Sequence, residues 1–422
     1  MQNLTEEPIS IASGEGVRFK DHEGNEYLDF LSQLFFLNLG HGNTHVIQAI
    51  QTQAAKLCAA SPALLHDGIS AVGECLCAIT PDGLDRAFFT NSGSEANEIA
   101  LIMARLVTGR TKVLAKYRSY HGTTLGTLGT AGDPRRIAVD SGHMPTVRFL
   151  GPYCYRCDFK MTYPSCELHC ADALEKQIIM EGPQTVAAII LEPFTAAAGG
   201  FPAPAGYLQR VRAICDRYDI LMIADEVICG FGRTGADFAV NHEGVAPDIL
   251  TLAKGLTGGY APMGAAVVNR RVADHFAETP LPLGCTYTGH PLACAAALAA
   301  LDEYNRLQTT TNARAMGEIL HAELQTMAQR HSCLGDARCR GLMACLELVR
   351  DKTTCEPLAP FNENTPVVEE LKTRFRACGL YVFVRSGLIL MAPPLVIKES
   401  DLREGLQKLE GVLTWLDGTL AK

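Results

Sequence analysis

Two apolar stretches decide the fold of this chain: Asp219-Ile-Leu-Met-Ile-Ala-Asp225-Glu-Val227 and Asp248-Ile-Leu-Thr-Leu-Ala-Lys254. Each is a short apolar run closed by a charged residue, which is typical of a parallel strand buried on both faces. In open α/β sheets, ligands bind beyond the carboxyl ends of the strands. The sequence therefore predicts that Asp225 and Lys254 reach one crevice, although two solvated charges at strand ends would give the same pattern.

A carboxylate and an amine in one crevice suit pyridoxal phosphate (PLP). The amine of Lys254 can form a Schiff base with the aldehyde, and Asp225 can pair with the protonated pyridine nitrogen, so that the ring can accept electrons. We therefore predict Lys254 and Asp225 as the catalytic pair.

Composition narrows the class of protein. The chain has 422 residues, of which 47% are hydrophobic and 20% charged, and this length allows two domains with a large core. The net charge is −9 and no basic block occurs, so we expect neither a nucleic-acid nor a membrane partner. The first eight residues lack the pattern of a signal peptide. We expect a cytoplasmic protein whose 16 cysteines are mostly reduced thiols or metal ligands.

Apolar strands alternate with helical patterns between residues 44 and 300, which predicts a mostly parallel sheet with helices on both faces. A hairpin is expected near residues 16–31 and a linking helix over 291–304. The C-terminal part reads as α+β, with a final amphipathic helix over 399–416. The expected domains are an N-terminal segment (1–45) that packs with the small domain, a cofactor domain (46–300) and a C-terminal small domain (301–422). The strands expected most clearly are 86–90, 112–115, 186–191, 265–268, 341–348 and 388–391.

Three further segments fit a PLP site. Gly93 and Ser94 lie in a Gly/Ser turn between a strand and a helix, where free amides can bind a phosphate, although Ser92-x-x-Glu95 also fits a capped helix without ligand. Tyr120 follows a strand and can stack on a pyridine ring, or be an ordinary core tyrosine. Thr286 lies in a loop that enters a helix, where its hydroxyl can reach a phosphate or simply cap a turn.

Four cysteines, Cys154, Cys157, Cys166 and Cys170, lie in an irregular stretch. Four thiolates at such spacing suit a structural Zn²⁺ or iron–sulfur site, in which His169 can replace one ligand. The spacing departs from the usual pair of CxxC motifs, so a cysteine-rich loop without metal is the alternative.

The chain resembles the class-III (ω-) aminotransferases of PLP fold type I from about Gly14 to Leu416. The motifs that carry the resemblance are Asn91-Ser-Gly-Ser-Glu-Ala-Asn97, Tyr120-His-Gly122, Leu191-Glu-Pro193, Ala224-Asp-Glu-Val-Ile-Cys-Gly-Phe-Gly-Arg-Thr-Gly235, Thr251-Leu-Ala-Lys-Gly-Leu256, Thr286-Tyr-Thr-Gly-His-Pro291 and Ala392-Pro-Pro-Leu395. The resemblance implies a large domain with a mostly parallel seven-stranded sheet flanked by helices. It also implies a smaller α+β domain built from both terminal segments.

The resemblance also implies roles for individual residues. Lys254 would be the Schiff-base lysine, which moves a proton during the reaction, and Asp225 the partner of the pyridinium. Tyr120 and Val227 would enclose the ring. The remaining cofactor contacts that match the family motifs are Gly93, Ser94, His121, Glu192 and Thr286, the last given across a dimer interface. A homodimer with shared active sites is therefore implied, and such dimers can pair into tetramers.

Departures from the family pattern narrow the branch. Ornithine- and acetylornithine-type relatives carry an arginine where this chain reads Leu390-Met391, and a gating glutamate where it has Ala197. Leucine cannot replace a guanidinium in bidentate recognition of a carboxylate. Ile228 stands where those relatives often have glutamine, which resembles the amine:pyruvate and taurine:pyruvate branch.

Two substrate residues follow from that branch. Arg385 is the candidate for the arginine that turns toward the keto acid, and a solvated loop arginine is the alternative. Phe35 is the candidate for an aromatic in the donor pocket. The expected function is transamination between an ω-amine, ω-amino acid or amino-sugar donor and pyruvate or 2-oxoglutarate. The alternatives are a PLP-dependent aminomutase, epimerase or dialkylglycine-type decarboxylase, and a non-catalytic PLP-binding scaffold.

Overall fold

The computed structural model describes residues 8–138 and 145–421. Residues 1–7, part of the segment that lacks the pattern of a signal peptide, lie outside the described residues. The strands are β1 (Ile11–Glu15), β2 (Arg18–Asp21), β3 (Glu26–Asp29), β4 (Leu84–Thr90), β5 (Lys112–Lys116), β6 (Thr146–Phe149), β7 (Val186–Leu191), β8 (Phe194–Thr195), β9 (Phe201–Pro202), β10 (Leu221–Asp225), β11 (Ile249–Leu252), β12 (Gly264–Asn269), β13 (Leu334–Arg340), β14 (Met343–Asp351), β15 (Glu356–Pro357), β16 (Leu380–Tyr381), β17 (Phe383–Arg385) and β18 (Leu388–Met391).

The helices are α1 (Ser32–Phe35), α2 (Thr44–Lys56), α3 (Asp67–Ile79), α4 (Gly93–Thr108), α5 (Leu125–Thr130), α6 (His169–Glu181), α7 (Tyr207–Tyr218), α8 (Arg270–Glu278), α9 (Pro291–Arg306), α10 (Thr309–Arg330), α11 (Pro366–Ala377) and α12 (Glu399–Leu420). Within the described ranges, none of these helices combines the length and the hydropathy needed to span a bilayer. The chain forms two compact units: Met1–Thr44 with Asn312–Lys422, and His45–Thr311.

The unit His45–Thr311 contains a seven-stranded sheet in the order β4-β12-β11-β10-β7-β5-β6. Neighbouring strands are parallel from β11 to β6, whereas β12 runs antiparallel to both β11 and β4. The prediction of a mostly parallel seven-stranded sheet is therefore confirmed. All residues of β7, β10 and β11 are buried, which explains why these strands are continuous apolar runs in the sequence.

Helices cover both faces of this sheet because successive strand residues point to opposite sides. In β7, Ile189 packs in a core cluster with residues of α6 and α7, whereas its neighbours Ala188 and Ile190 pack in a second cluster with residues of α4 and α8. In β10, Met222 joins the first cluster and Ile223 the second. The sheet is therefore held rigidly from both sides, and its strand ends can position side chains accurately.

The other unit is built around antiparallel pairing. One sheet has the order β13-β14-β18-β17, with β15 paired to β14. A second sheet has the order β1-β2-β3-β16 and contains the hairpin expected near residues 16–31. In that hairpin, Asp21 accepts hydrogen bonds from the amides of Glu23 and Asn25 at 3.0 and 2.8 Å, so its carboxylate stabilises the turn. The predicted strand 388–391 and final helix are confirmed.

Candidate active site

Asp225 and Lys254 lie at the same edge of the seven-stranded sheet. Asp225 is the last residue of β10, and Lys254 begins a short 3₁₀ helix two residues beyond the end of β11. These strands are adjacent and parallel, so both side chains emerge at their carboxyl edge. Both line one cavity of about 220 Å³. The juxtaposition predicted from the two apolar stretches is therefore present.

The residues around this cavity come from the ends of several strands and from the start of α4. They are Ser92, Gly93, Ser94, Asn97, Tyr120, His121, Gly122, Glu192, Asp225, Val227, Ile228 and Lys254. Among the cofactor contacts expected from the sequence, only Thr286 is not one of these lining residues. A concave site with a few convergent polar groups is the usual form of a cofactor pocket.

The amino end of α4 supplies free backbone amides to the cavity. Its cap residue Ser92 accepts a hydrogen bond from the amide of Glu95 at 3.2 Å, and Glu95 accepts one from the amide of Asn91 at 2.7 Å. The Ser92 cap is thus present, but Glu95 reaches back to the amide of Asn91 and not to that of Ser92, so the reciprocal bond of the expected capping box is displaced by one residue. The cap leaves the first-turn amides of Gly93 and Ser94 without partners inside the helix, so they can still bind an anion.

Two glycines allow the chain segments around the cavity to approach closely. A Cβ atom at Gly93 would lie 2.7 Å from Cγ1 of Val227, and one at Gly122 would lie 2.6 Å from Oγ of Ser94. Both contacts are too short for real Cβ atoms. The wall near the α4 amides is therefore a backbone surface that a side chain at either position would disrupt.

Asp225 is buried and its carboxylate accepts hydrogen bonds at both oxygens. Oδ2 lies 2.8 Å from Nδ2 of Asn97 and 2.8 Å from Nδ1 of His121, and Oδ1 accepts from the amide of Val227 at 3.0 Å. Asn97 in turn accepts a hydrogen bond from Oγ1 of Thr251 at 2.6 Å. This network fixes the orientation of the Asp225 carboxylate.

His121 completes the network from the opposite side. Its Nδ1 lies 2.8 Å from Oδ2 of Asp225, so the other ring nitrogen, Nε2, is left for a different partner. Nε2 is buried and has no hydrogen-bond partner among the described residues. An orphaned ring nitrogen in a cavity wall indicates that a bound group completes this site.

Burial lowers the pKa of Lys254, and the nearby charges of Asp225, Glu192 and Cys229 oppose this shift. A lowered pKa increases the fraction of neutral amine, which is the nucleophilic form. The backbone of Lys254 adopts a positive φ of 40°, so the turn that delivers the amine is locally strained.

Tyr120 and Glu192 are held together. Oε1 of Glu192 accepts a hydrogen bond from the amide of Tyr120 at 3.0 Å. One face of the Tyr120 ring is covered by the guanidinium of Arg135, 4.0 Å from the ring centroid, and Arg135 is itself paired with Asp133. A cation over an aromatic face stabilises that ring orientation.

The remaining candidates are not among the lining residues of this cavity. Thr286 is exposed and lies in a turn. In the same turn, Thr288 donates a hydrogen bond to the carbonyl of Phe89 at 3.0 Å. Phe35 and Arg385 belong to the other compact unit. There, Phe35 is buried at the end of α1, and Nη2 of Arg385 donates to Oδ1 of Asn362 at 2.8 Å.

The expected zinc or iron–sulfur site is not supported. No group of three His, Cys, Asp or Glu side chains among residues 8–138 and 145–421 is arranged to hold a metal ion, and this range includes Cys154, Cys157, Cys166 and Cys170. The four cysteines instead line a cavity together with Phe159, Met161, Tyr163 and other mainly apolar residues. The spacing brought the thiols to one loop but not into a common coordination sphere.

Two members of the Asp225 network, Asn97 and Thr251, have no role among the predicted site residues. Asn97 lies one helical turn after Gly93 and therefore faces the same cavity. Thr251 is the one polar residue inside the buried strand β11. A polar side chain in an otherwise apolar strand indicates a buried hydrogen-bond partner, and this was the signal in the sequence from which Thr251 could have been predicted.

Comparisons with known proteins agree with this geometry. The family model of class-III aminotransferases matches residues 1–413. The taurine–pyruvate aminotransferase of Rhodobacter capsulatus is 34% identical, over 97% of this chain and 92% of that protein. The ω-aminotransferase of Caulobacter vibrioides is 34% identical, over 97% of this chain and 94% of that protein.

A solved structure agrees over the whole chain. The taurine:2-oxoglutarate aminotransferase of Bifidobacterium kashiwanohense, in complex with PLP and glutamate, superposes with a TM-score of 0.95 at 39% identity. The match covers 100% of this chain and 96% of that chain. The chain therefore belongs to the class-III aminotransferases and has the PLP fold type I of that family.

Proposed function

We propose that this aminotransferase moves the amino group of an ω-amine, ω-amino acid or amino sugar to pyruvate or 2-oxoglutarate, with PLP as cofactor. One observation carries the proposal: the carboxylate of Asp225 and the amine of Lys254 line one cavity at the amino end of α4. A strong anion, a ring nitrogen that gains a proton and an aldehyde are the features of PLP that these groups would bind.

Different residues of the cavity would contact different parts of the cofactor. The amides of Gly93 and Ser94 would bind the phosphate, Asp225 would pair with the ring nitrogen, and Tyr120 and Val227 would enclose the ring. Bound PLP supplies an electron sink for a carbanion next to the amino group. The orphaned Nε2 of His121 supports the fit, because it lacks a protein partner in the described part of the chain.

Lys254 is the proposed acid–base group of the reaction. Its amine, whose pKa is lowered by burial, would take the proton from the carbon that bears the amino group and return one to the cofactor side. Asp225 would hold the ring nitrogen protonated, since both carboxylate oxygens are already fixed by Asn97, His121 and Val227.

The substrate class rests on what the chain lacks and on its relatives. No guanidinium stands at Leu390 or Met391, and Ala197 replaces a gating glutamate. The similar proteins include taurine–pyruvate, ω- and diaminobutyrate–2-oxoglutarate aminotransferases. Together these points favour donors whose amino group lies at the end of a chain. Phe35 is the proposed donor-pocket aromatic, and Arg385 the proposed acceptor residue.

We also propose a homodimer with shared active sites, which can pair into a tetramer. Thr286 lies in an exposed turn beside the 65% exposed Tyr287, and Leu65 is 90% exposed. Large apolar side chains at such exposure are typical of surfaces that a second subunit covers. The domain boundaries at 45 and 300, the cytoplasmic location and the lack of a nucleic-acid or membrane partner stay predictions.

A half-reaction titration tests the proposed function. Purified protein with PLP is mixed with single amines and amino acids, without keto acid, while the visible absorbance of the bound cofactor is followed. Loss of absorbance with ω-amines, restored by pyruvate or 2-oxoglutarate, is expected. Product formation without any keto acid would instead assign a mutase, epimerase or decarboxylase. Lys254→Ala is the control, and it should keep the fold but lose turnover.

A further inference from the structure

A second buried amine lies behind the candidate active site. Lys116 is the last residue of β5 and is only 6% exposed. Its Nζ atom donates a hydrogen bond to Oγ1 of Thr195. A Cβ atom at Gly151 would lie 2.0 Å from Cδ of Lys116, so the glycine at this position makes room for the lysine stem. The lysine therefore occupies a place that the surrounding chain is shaped to accept.

Charged and aromatic residues lie near this amine as well as apolar ones, because Lys116 borders a cavity of about 90 Å³ that Arg118, Tyr153 and Asp158 also line. Lys116 also borders a smaller cavity of about 10 Å³ together with Glu192, Tyr207, Phe149 and Leu208. Such a cavity has room for about one water molecule. The Tyr207 hydroxyl is buried and has no hydrogen-bond partner among the described residues. A buried ammonium is costly unless an opposite charge lies near it, and Glu192, which lines the same small cavity, is the carboxylate with the largest effect on the pKa of Lys116.

Glu192 connects this amine with the active-site cavity, because it lines both cavities. Its Oε1 accepts a hydrogen bond from the amide of Tyr120 and its Oε2 one from the amide of Ala196, each at 3.0 Å. An ionised carboxylate can accept both bonds freely. A protonated carboxyl places a hydrogen on one oxygen, which weakens that oxygen as an acceptor and opposes the amide that faces it.

The charge state of Glu192 depends on its neighbours. Burial raises the pKa of Glu192, and Asp225 raises it further, whereas His121, Lys116 and the Tyr120 amide lower it. Burial also lowers the pKa of Lys116 to about 8, so its ammonium form still dominates at pH 7. The other titratable groups that act on this pair are Lys254, Cys229 and Cys170.

We propose that Lys116 is a positioning residue of the aminotransferase: its ammonium keeps Glu192 ionised, and ionised Glu192 holds the Tyr120 backbone and the turn at Thr195–Ala196 in place. Lys116 itself contacts no reacting atom. It acts through Glu192 on Tyr120, whose ring lines the cofactor cavity, and through Thr195 on the turn.

The test compares two neutral variants with one charged control. Lys116→Met removes the charge and keeps much of the stem, and Lys116→Gln removes the charge but keeps a donor for Thr195. Thr195→Val removes the hydrogen-bond acceptor and leaves the charge of Lys116 in place. Because the two lysine variants fill the site differently, the experiment does not depend on either one folding alone.

Infrared difference spectroscopy of the PLP-loaded enzyme over a pH series reads the protonation of Glu192 directly, and Glu192→Gln assigns the carboxyl band. We expect the band to appear at a pH about one unit or more higher in Lys116→Met and Lys116→Gln than in the wild type and in Thr195→Val. The acid limb of kcat/KM should move upward by the same amount in the two lysine variants.

Two results would overturn the proposal. One is a carboxyl band that appears at the wild-type pH in both variants of Lys116, because the ammonium would then not influence the charge of Glu192. The other is an equal shift in Thr195→Val, because the geometry of the turn, and not the ammonium charge, would then be the cause. In a Glu192→Gln background, Lys116→Met should produce no further shift of the kcat/KM profile.

Discussion

Nδ1 of His121 lies 2.8 Å from Oδ2 of Asp225, and both residues are 2% exposed. The same carboxylate oxygen accepts a hydrogen bond from Asn97 at 2.8 Å. Two donors on one buried oxygen fix the direction of the carboxylate. The group proposed to bind the cofactor ring is therefore held from behind by residues of two other segments.

His121→Phe should weaken the binding of PLP. The substitution removes one donor from Asp225 while filling similar space, and hydrogen bonds to charged groups contribute about 1.5–3 kcal/mol. The dissociation constant of PLP, measured by equilibrium dialysis, should rise about tenfold or more.

Asn97→Ala removes the second donor and should weaken PLP binding by a comparable factor. Thr251→Val, which removes only the hydrogen bond to Asn97, is the matched control and should have a smaller effect. If His121→Phe bound PLP with wild-type affinity, Asp225 would not need the hydrogen bond from His121 to hold the cofactor.

Gly93→Ala should disrupt the anion-binding end of the cavity. The new Cβ would lie 2.7 Å from Cγ1 and 2.9 Å from Cγ2 of Val227, so the helix start or Val227 must move. Because Val227 lines the cavity, we expect about a tenfold or larger rise in the dissociation constant of PLP.

The matched double variant Gly93→Ala/Val227→Ala removes the methyl groups that clash and should recover part of the affinity. If the effects of the two single substitutions on PLP binding simply add in the double variant, the clash is not the cause. The loss of affinity would then come from a changed geometry of the amide at position 93.

The sheet was predictable because its central strands are buried on both faces. Such strands are unbroken apolar runs, and a charged residue at the end of a run marks the edge where ligands bind. Asp225 and Lys254 were found in this way. The same signal is present at Lys116, but the strand expected over 112–115 is one residue shorter than β5 and does not include this buried amine.

Other elements carried no such signal. Strand β13 reads Leu334-Gly-Asp-Ala-Arg-Cys-Arg340, in which only the small residues Ala337 and Cys339 alternate with charged ones, and β17 has only three residues. Their pairing with β14 and β18 is decided by tertiary contacts. The thiol spacing carried a different signal: the four cysteines do line one cavity, but a shared cavity does not require the thiols to meet in one coordination sphere.

Glu226 should make the stability of the protein pH-dependent. Burial raises its pKa from 4.5 to about 7, and its Oε2 has no partner in the described ranges. The folded state therefore binds more protons than the unfolded state between these two values, so stability falls as the pH rises from 4.5 to 7.

Glu226→Gln removes this titration. Above pH 7 the variant should be more stable than the wild type by about 3 kcal/mol, and near pH 4 the difference should vanish. Urea unfolding of the PLP-loaded enzyme across this range measures the difference. A gap that stays constant with pH would show that Glu226 is already ionised when buried.

Arg385→Ala should raise the KM for the keto acid far more than the KM for the amine, because a guanidinium recognises a carboxylate in a bidentate way that the amine donor does not require. We expect about a tenfold or larger change for pyruvate or 2-oxoglutarate. Arg385→Lys should restore only part of this loss, since lysine keeps the charge but not the planar fork.

Asn362→Ala is the matched control: it removes the partner that accepts from Nη2 at 2.8 Å but leaves the guanidinium intact, so the KM for the keto acid should stay the same or fall. Equal changes in both KM values for Arg385→Ala would remove Arg385 from acceptor recognition.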